Sequence, residues 1–205
     1  MADCRATRLD PTLKGSKLTF KHLLQALPFV LMLSASSNFA QIGPGHDWKR
    51  VLAERLPLYG HRNWIVVADS AYPAQSTPGI ETIVADADQA EVLQHVLARL
   101  SNSKHVRPIV YTDVELSYLT EAEAPGVDNH RELLSGLFPD SKPVSLPHEQ
   151  IIGNLAKAGQ NFQVLIIKTR MTVPYTTVFL QLDCAYWGPD AERKLRAQMA
   201  QRPRR

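Results

Sequence analysis

The chain has 205 residues, 44% of them hydrophobic, which is enough for one globular domain with a sizeable core. Its formal net charge of +3 comes from the two ends, because residues 41–188 carry 12 basic and 16 acidic side chains. A mildly acidic body argues against a nucleic-acid-binding face on the fold. With only two cysteines, Cys4 and Cys184, we expect neither a disulfide nor a cysteine-rich metal site.

Residues 1–40 have the pattern of a secretory signal peptide. Lysines at 14, 17 and 21 precede an apolar run over 23–33, and small residues follow as far as Ala40. The run is shorter than the roughly 20 residues that a membrane-spanning helix needs, so we expect no membrane span in the mature chain. An amphipathic helix or an upstream start codon is the alternative. If the leader is cleaved, the protein is exported to the periplasm or secreted; otherwise it is cytoplasmic.

Helical and strand patterns alternate along the rest of the chain. Helices are predicted at 48–56, at 88–100 with a capping box from Asp88 to Glu91, at 132–138, at 149–158 and from Pro189, and strands at 64–68, 108–111, 164–168 and 177–183. This alternation predicts an α/β fold, a sheet covered by helices on both faces. We divide the chain into a leader (1–40), a domain (41–188) and a C-terminal helix with a basic tail (189–205).

Three segments carry a resemblance to a known family. The first runs from Gly60 and His61 through an apolar strand to Asp69 and Ser76, and the others are 148–151 and 173–180. Together they resemble the signature of the D-ribose pyranase and L-fucose mutarotase (RbsD/FucU-type) family over residues 48–187. The resemblance implies a three-layer α/β/α, RbsD-like fold with a mixed, mostly parallel sheet, in which the last strand departs from the parallel order.

The family's reaction interconverts anomeric or ring forms of a free monosaccharide, and no cofactor is needed. One group takes the proton of the anomeric hydroxyl while another protonates the ring oxygen. Histidine suits both roles because its ordinary pKa is about 6.5. We therefore predict His61 as the catalytic residue, without a metal. The alternative is a histidine that only caps a strand.

Five further residues are predicted to bind the sugar by the same resemblance. Asp69 would accept hydrogen bonds from hydroxyl groups, or would only cap a turn through an Asx-type contact. His148 would contact the ligand, or would be only a first-turn helix residue. The phenol of Tyr175 would bind a hydroxyl, with Thr176 and Thr177 beside it. The histidine at 148 favours a ribose-like sugar over a fucose-like one.

Two departures from the family pattern leave the activity open. Asn63 stands where the family has aspartate, and Thr177 where it has asparagine. A non-catalytic monosaccharide-binding or transport-associated protein that keeps the pocket is therefore the alternative function. In addition, a full strand separates His61 from Asp69 by roughly 20 to 26 Å. We expect a homo-oligomer whose neighbouring subunits share each site, which the family resemblance also implies.

Overall fold

The computed structural model describes residues 47–139 and 142–201. The helices are α1 (Trp48–Arg55), α2 (Gln89–Ser101), α3 (Val127–Leu137), α4 (His148–Ala158) and α5 (Pro189–Gln201). The strands are β1 (Trp64–Ala68), β2 (Ile80–Val84), β3 (Val106–Asp113), β4 (Val144–Leu146), β5 (Val164–Lys168) and β6 (Val178–Cys184). Short 3₁₀ turns cover Leu56–Leu58 and Val114–Ser117. None of the helices in these ranges is long and apolar enough to cross a bilayer.

The six described strands form one mixed sheet in the order β2-β5-β1-β6-β3-β4. Strand β6 runs antiparallel to both of its neighbours, β1 and β3, and the remaining pairs are parallel. The prediction of a mostly parallel sheet whose last strand departs from the common direction is confirmed.

Helices cover both faces of the sheet, as predicted. All five residues of β1 are buried, and alternate side chains point to opposite layers. Ile65 and Val67 pack with residues of α1, α2 and α3, whereas Trp64 and Val66 pack with residues of α4. The result is a three-layer α/β/α arrangement. Helix α5 contributes no buried residue to either layer.

Several predicted elements differ from the structure. Strands β2 and β4 are absent from the sequence prediction, and β3 is longer than 108–111. Helix α3 begins at Val127 and not at 132, because Gly126 in the left-handed region (φ 96°) turns the chain into it. The carboxylate of Glu121 accepts the backbone N–H groups of Gly126 and Asp128, which supports this early start.

The predicted capping box at the start of α2 is wrong. The side chain of Asp88 makes no capping hydrogen bond. Its carboxylate instead accepts a hydrogen bond from Arg170 at 3.1 Å. Of the two cysteines, Cys184 is half-buried near the end of β6. The predicted leader and Cys4 lie outside the described residues.

Candidate functional site

The sheet topology brings a cluster of polar side chains together along one edge of the sheet, the edge formed by the ends of its strands. Strands β1 and β3 end at this edge and the antiparallel β6 begins there, so the residues that flank them meet. Helix α4 also begins there, directly after β4. We call the following five residues the edge cluster: Asp69, Asp113, His148, Tyr175 and Thr177.

Asp113 and His148 form the centre of the edge cluster. The Asp113 side chain has no exposed surface, and its Oδ1 lies 3.2 Å from Nδ1 of His148, whose side chain is 30% exposed. Among the described residues, neither carboxylate oxygen has a hydrogen-bond partner with suitable geometry, so the contact with His148 is an electrostatic one. Burial raises the pKa of Asp113 to about 6, against the opposing effect of His148. The carboxylates of Glu115 and Asp69 raise that pKa further.

Backbone and aromatic contacts fix the position of His148. Its backbone N–H donates to both carboxylate oxygens of Glu115 at 3.1 Å, which anchors the first residue of α4. Its ring meets the ring of Tyr175 edge to face, with centroids 5.5 Å apart. Tyr175 itself lies in the left-handed region at φ 57°, an uncommon conformation for a bulky side chain. The imidazole is thus held between a buried carboxylate and an aromatic ring.

Asp69 uses both carboxylate oxygens within the chain. Its Oδ1 accepts the N–H of Ala71 at 2.9 Å, which is the Asx turn expected as the alternative to sugar binding. Its Oδ2 accepts the hydroxyl of Thr177 at 2.9 Å. Thr177 is buried and also accepts the backbone N–H of Asp69 at 3.3 Å. Thr177 therefore orients Asp69, and the predicted contact of either residue with a sugar stays a prediction.

Thr176 lies inside the loop before β6. Its side chain is fully buried, and its hydroxyl donates to the carbonyl of Val173 at 2.7 Å. Its own carbonyl accepts a hydrogen bond from Gln89 at 2.6 Å. These contacts hold the loop that carries Tyr175. A direct contact between this hydroxyl and a ligand would require the loop to open.

His61 lies at the opposite end of β1 from the edge cluster. It is exposed in the turn before the strand, where the backbone N–H of Arg62 donates to the carbonyl of Leu182 at 2.8 Å. At about 3.3 Å per residue, the five residues of β1 alone separate it from Asp69 by more than roughly 15 Å. The structure therefore does not bring His61 together with the other predicted site residues of the same chain.

Asn63 has a structural role in the turn that carries His61. Its Oδ1 accepts the backbone N–H of Gly60 at 2.8 Å, and its Nδ2 donates to the carbonyl of Gln163 at 3.2 Å. Both ends of the amide are used. A carboxylate could accept the first hydrogen bond but could not donate the second.

Sequence reasoning missed Asp113 and Glu115. The signal that could have found them is an acidic residue at the end of a strand followed by a second one two positions later, in the sequence Thr112-Asp113-Val114-Glu115. Polar residues at strand ends of an α/β sheet are the usual positions for ligand contacts. The predicted strand stops at 111, short of both residues.

Comparison with known proteins gives similarities of structure alone. No protein-family model matches the chain, and no curated protein matches it. The Bacillus subtilis RbsD structure complexed with D-ribose aligns at a TM-score of 0.49 with 19% identity, covering 65% of this chain and 91% of that one. The fucose mutarotase from Streptococcus pneumoniae in complex with L-fucose aligns at 0.45 with 20% identity, covering 70% and 94%. FucU from Bifidobacterium longum aligns at 0.46 with 18% identity, covering 65% and 92%.

Proposed function

We propose that this protein interconverts the anomeric or ring forms of a free ribose-like or fucose-like monosaccharide by general acid-base catalysis. The pair formed by Asp113 and His148 is the observation that carries the proposal. A buried carboxylate behind a partly exposed imidazole is an arrangement that can take up and release a proton. The sequence resemblance around residues 60–76, 148–151 and 173–180 supports a sugar as the substrate of this proton transfer.

The reaction needs two proton-transfer groups. The imidazole of His148 acts as a base and removes the proton of the anomeric hydroxyl. The bond between the anomeric carbon and the ring oxygen breaks, and a second group, acting as an acid, protonates that oxygen. The aldehyde then rotates and the reverse transfers close the ring, so no proton is gained or lost. Asp113 favours the protonated imidazole during the transfer. His61 is the second group in this proposal.

His61 can serve the edge cluster only from a second copy of the chain. The sheet offers a surface for such a copy, because the face of β3 and β4 that lies on the α4 side is incompletely covered. Ile109 is 37% exposed and Val144 is 44% exposed on this face. A neighbouring cavity of about 470 Å³ is lined in part by Tyr111 and Gln181 of the same face. We propose that a second copy covers this surface and completes the site.

Saturation-transfer NMR of ribose and fucose tests the function. The protein is expected to accelerate anomer exchange, and His148→Ala to lose at least about 100-fold of that acceleration, the lower range for a lost general acid-base group. His95→Ala is the matched control, because His95 lies on α2 outside the edge cluster. Exchange rates that stay at the uncatalysed level for every sugar would remove the proposed activity.

Subunit complementation tests the shared site. His61→Ala and His148→Ala are each expected to be inactive alone. When the two variants are co-expressed, about a quarter of randomly assembled sites would contain both histidines from different subunits and regain activity. A fully active monomer in sedimentation experiments, or mixed oligomers without regained activity, would contradict the arrangement.

A non-catalytic sugar-binding protein is the second candidate. It is favoured by the two departures from the family pattern: the amide of Asn63 is used within its own turn, and the hydroxyl of Thr177 donates to Asp69. Calorimetry that shows ribose or fucose binding while NMR shows no accelerated exchange would select this function.

We also propose export of the mature chain, which N-terminal sequencing of the protein from separated cell fractions would test.

A further inference from the structure

Exposed hydrophobic side chains are concentrated near the end of the described chain. Nine large hydrophobic residues are exposed in the described ranges, and four of them lie between residues 186 and 199. These four are Tyr186, Trp187, Leu195 and Met199, and we call them the C-terminal patch. Exposed apolar residues that are scattered singly need no explanation, whereas a group of them marks an interaction site. The C-terminal patch is therefore a candidate surface for a partner.

Helix α5 and one hydrogen bond bring the C-terminal patch together. Successive side chains on a helix turn by about 100°, so Ala191, Leu195 and Met199, which are four residues apart, lie within about 80° on one face of α5. The indole Nε1 of Trp187 donates to Oε2 of Glu192 at 2.8 Å, which holds the ring against the first turn of the helix. No residue of α5 is buried. The patch thus forms an apolar stripe that the rest of the described chain leaves open.

The same segment carries an excess of positive charge. Residues 189–205 contain six basic and two acidic side chains, against 12 basic and 16 acidic side chains in residues 41–188. The two acidic side chains each form an ion pair with an arginine of the same helix. The remaining positive charge comes from Lys194, beside the stripe, and from three arginines after residue 201. An apolar stripe flanked by basic groups fits an apolar partner that carries negative charge at its surface.

A second copy of the chain does not match this surface. Two α5 helices that met patch to patch would bring two positively charged segments together, which is repulsive. Elsewhere in the described ranges, exposed hydrophobic side chains share a face at Ile109 and Val144, which a second copy already covers in the proposed shared site. The other three, Leu58, Val84 and Tyr118, lie on separate elements. The described body therefore offers the stripe no matching patch outside the face already assigned.

A lipid surface with anionic headgroups matches both the stripe and the charge. Tryptophan and tyrosine favour the boundary between headgroups and acyl chains, because each ring has an apolar body and one polar group. Leucine and methionine on one face of a helix enter the acyl region when the helix lies in the plane of the membrane, and lysine and arginine attract anionic headgroups.

We propose that the C-terminal patch and α5 bind a membrane surface that contains anionic lipids. The helix lies flat, with Trp187, Leu195 and Met199 turned to the lipid and Lys194 at the headgroups. This contact attaches the chain to one side of a membrane without crossing it. The patch follows the end of β6 at Cys184, whereas the edge cluster lies at the start of that strand, so the two sites share no residue.

Tryptophan fluorescence of the full chain with lipid vesicles tests the proposal. Trp48 and Trp64 are buried and residues 1–40 contain no tryptophan, so a blue shift of the emission reports that Trp187 enters the lipid. Vesicles of phosphatidylcholine and phosphatidylserine in equal parts are expected to give this shift. Vesicles of phosphatidylcholine alone are expected to need at least about tenfold more lipid, because the basic groups gain nothing there. Unchanged emission with the mixed vesicles, or the same titration curve with both kinds, would overturn the proposal.

Variants of the stripe test which residues make the contact. Leu195→Gln together with Met199→Gln is expected to need at least about tenfold more mixed lipid for the same shift, because two apolar side chains no longer enter the acyl region. Both positions are exposed and glutamine favours a helix, so the fold is expected to persist. Undiminished binding by this double variant would refute the assignment.

Two tyrosines of nearly equal exposure, Tyr186 at 78% and Tyr118 at 79%, provide a matched control. Tyr186→Ser is expected to weaken vesicle binding at least about threefold, and Tyr118→Ser to leave it unchanged. Equal effects of the two would contradict the proposal.

Sedimentation without vesicles examines the rival occupant, a second copy. An oligomer that the double variant dissociates, together with emission that vesicles leave unchanged, would refute lipid binding. None of these readouts uses a sugar, so this proposal and the proposed function fail separately.

Discussion

Asp113 Oδ1 lies 3.2 Å from His148 Nδ1, beneath a surface that exposes the imidazole and no part of the carboxylate. The pair joins the end of β3 to the first residue of α4. Because burial raises the pKa of this carboxyl to about 6, the folded chain holds the Asp113 proton more tightly than the unfolded chain does. The charged form is therefore costly to the fold, and a carboxyl with a raised pKa beside a histidine is the feature on which the proposed proton transfer depends.

The first prediction concerns the pH dependence of stability. Between about pH 4 and about pH 6 the folded state binds more protons at Asp113, so the free energy of unfolding from this group falls as the pH rises through that window. Asp113→Asn is expected to remove this dependence and to add about 1 to 3 kcal/mol of stability above the window. Urea unfolding at about pH 4.5 and about pH 7.5 measures both effects.

The control for that experiment is Asp86→Asn, because the Asp86 side chain is 86% exposed. It is expected to change the free energy of unfolding by no more than about 0.5 kcal/mol at either pH. If Asp113→Asn destabilised the chain above the window, the buried carboxylate would be a stabilising partner of His148 and the assigned direction of the pKa shift would be wrong.

The second prediction compares two buried threonines. Thr177→Val removes a hydroxyl that donates to the Asp69 carboxylate, and the expected loss of stability is about 1 to 3 kcal/mol because the acceptor is charged. Thr169→Val removes a hydroxyl that donates to the Ala68 carbonyl, and the expected loss is about 0.5 to 1.5 kcal/mol. Both are measured by urea unfolding.

Sugar affinity distinguishes the same two variants. If Asp69 binds hydroxyl groups, Thr177→Val is expected to weaken ribose or fucose binding in calorimetry, because the carboxylate is no longer oriented. Thr169→Val is expected to leave the affinity unchanged. Equal affinities for both variants and the unchanged chain would show that Asp69 acts only in its turn.

The third prediction concerns the ring of Tyr175. Tyr175→Phe keeps the edge-to-face contact with His148 and is expected to change the free energy of unfolding by less than about 1 kcal/mol. It is nevertheless expected to weaken sugar binding, because the phenol is lost. Tyr175→Ala is expected to cost about 2 to 4 kcal/mol, since the ring also packs against the core. Unchanged affinity in the Phe variant would restrict Tyr175 to a packing role.

The predictability of the fold from the sequence differs among its strands. Strands β1 and β5 are predicted correctly at both ends, because β1 is a continuous apolar run and β5 is an apolar run of four residues that ends with Lys168. Strand β2 is missed because it is an outermost strand of the sheet, and Glu81 and Thr82 interrupt its apolar pattern. Strand β4 has only three residues, none of them buried. Such a short exposed edge strand has no distinct pattern in a single sequence.

The candidate site is also only partly predictable from the sequence, for a different physical reason. The resemblance points to Asp69, His148, Tyr175 and Thr177, and the structure places them at one edge. The acidic residues at and after the end of β3 mark Asp113 as a candidate, but its place near Asp69 and Thr177 does not follow from the sequence, because it depends on β6 lying between β1 and β3. That order is a property of long-range strand pairing, whereas the pattern around residue 113 reports only that a strand ends.

The last prediction compares two glycines in opposite environments. A Cβ atom at Gly79 would lie 2.3 Å from the carbonyl oxygens of both Gly159 and Phe162. These oxygens cannot retreat easily, because the backbone N–H of Gly79 donates to the carbonyl of Gly159 at 3.0 Å, which holds the start of β2 against the end of α4. Gly79→Ala is therefore expected to lower the free energy of unfolding by about 1 to 3 kcal/mol.

Gly153 is the matched control, since it lies inside α4, where an added Cβ atom would meet no neighbouring atom within 4 Å. Gly153→Ala is expected to raise the free energy of unfolding by about 0.5 to 1 kcal/mol, because alanine favours the helix. Urea unfolding of both variants measures the difference. Loss of stability in both would mean that the α4 surface around Gly153 is already covered, as it would be in an oligomer, whereas an unaffected Gly79→Ala would contradict the close approach of β2 to α4.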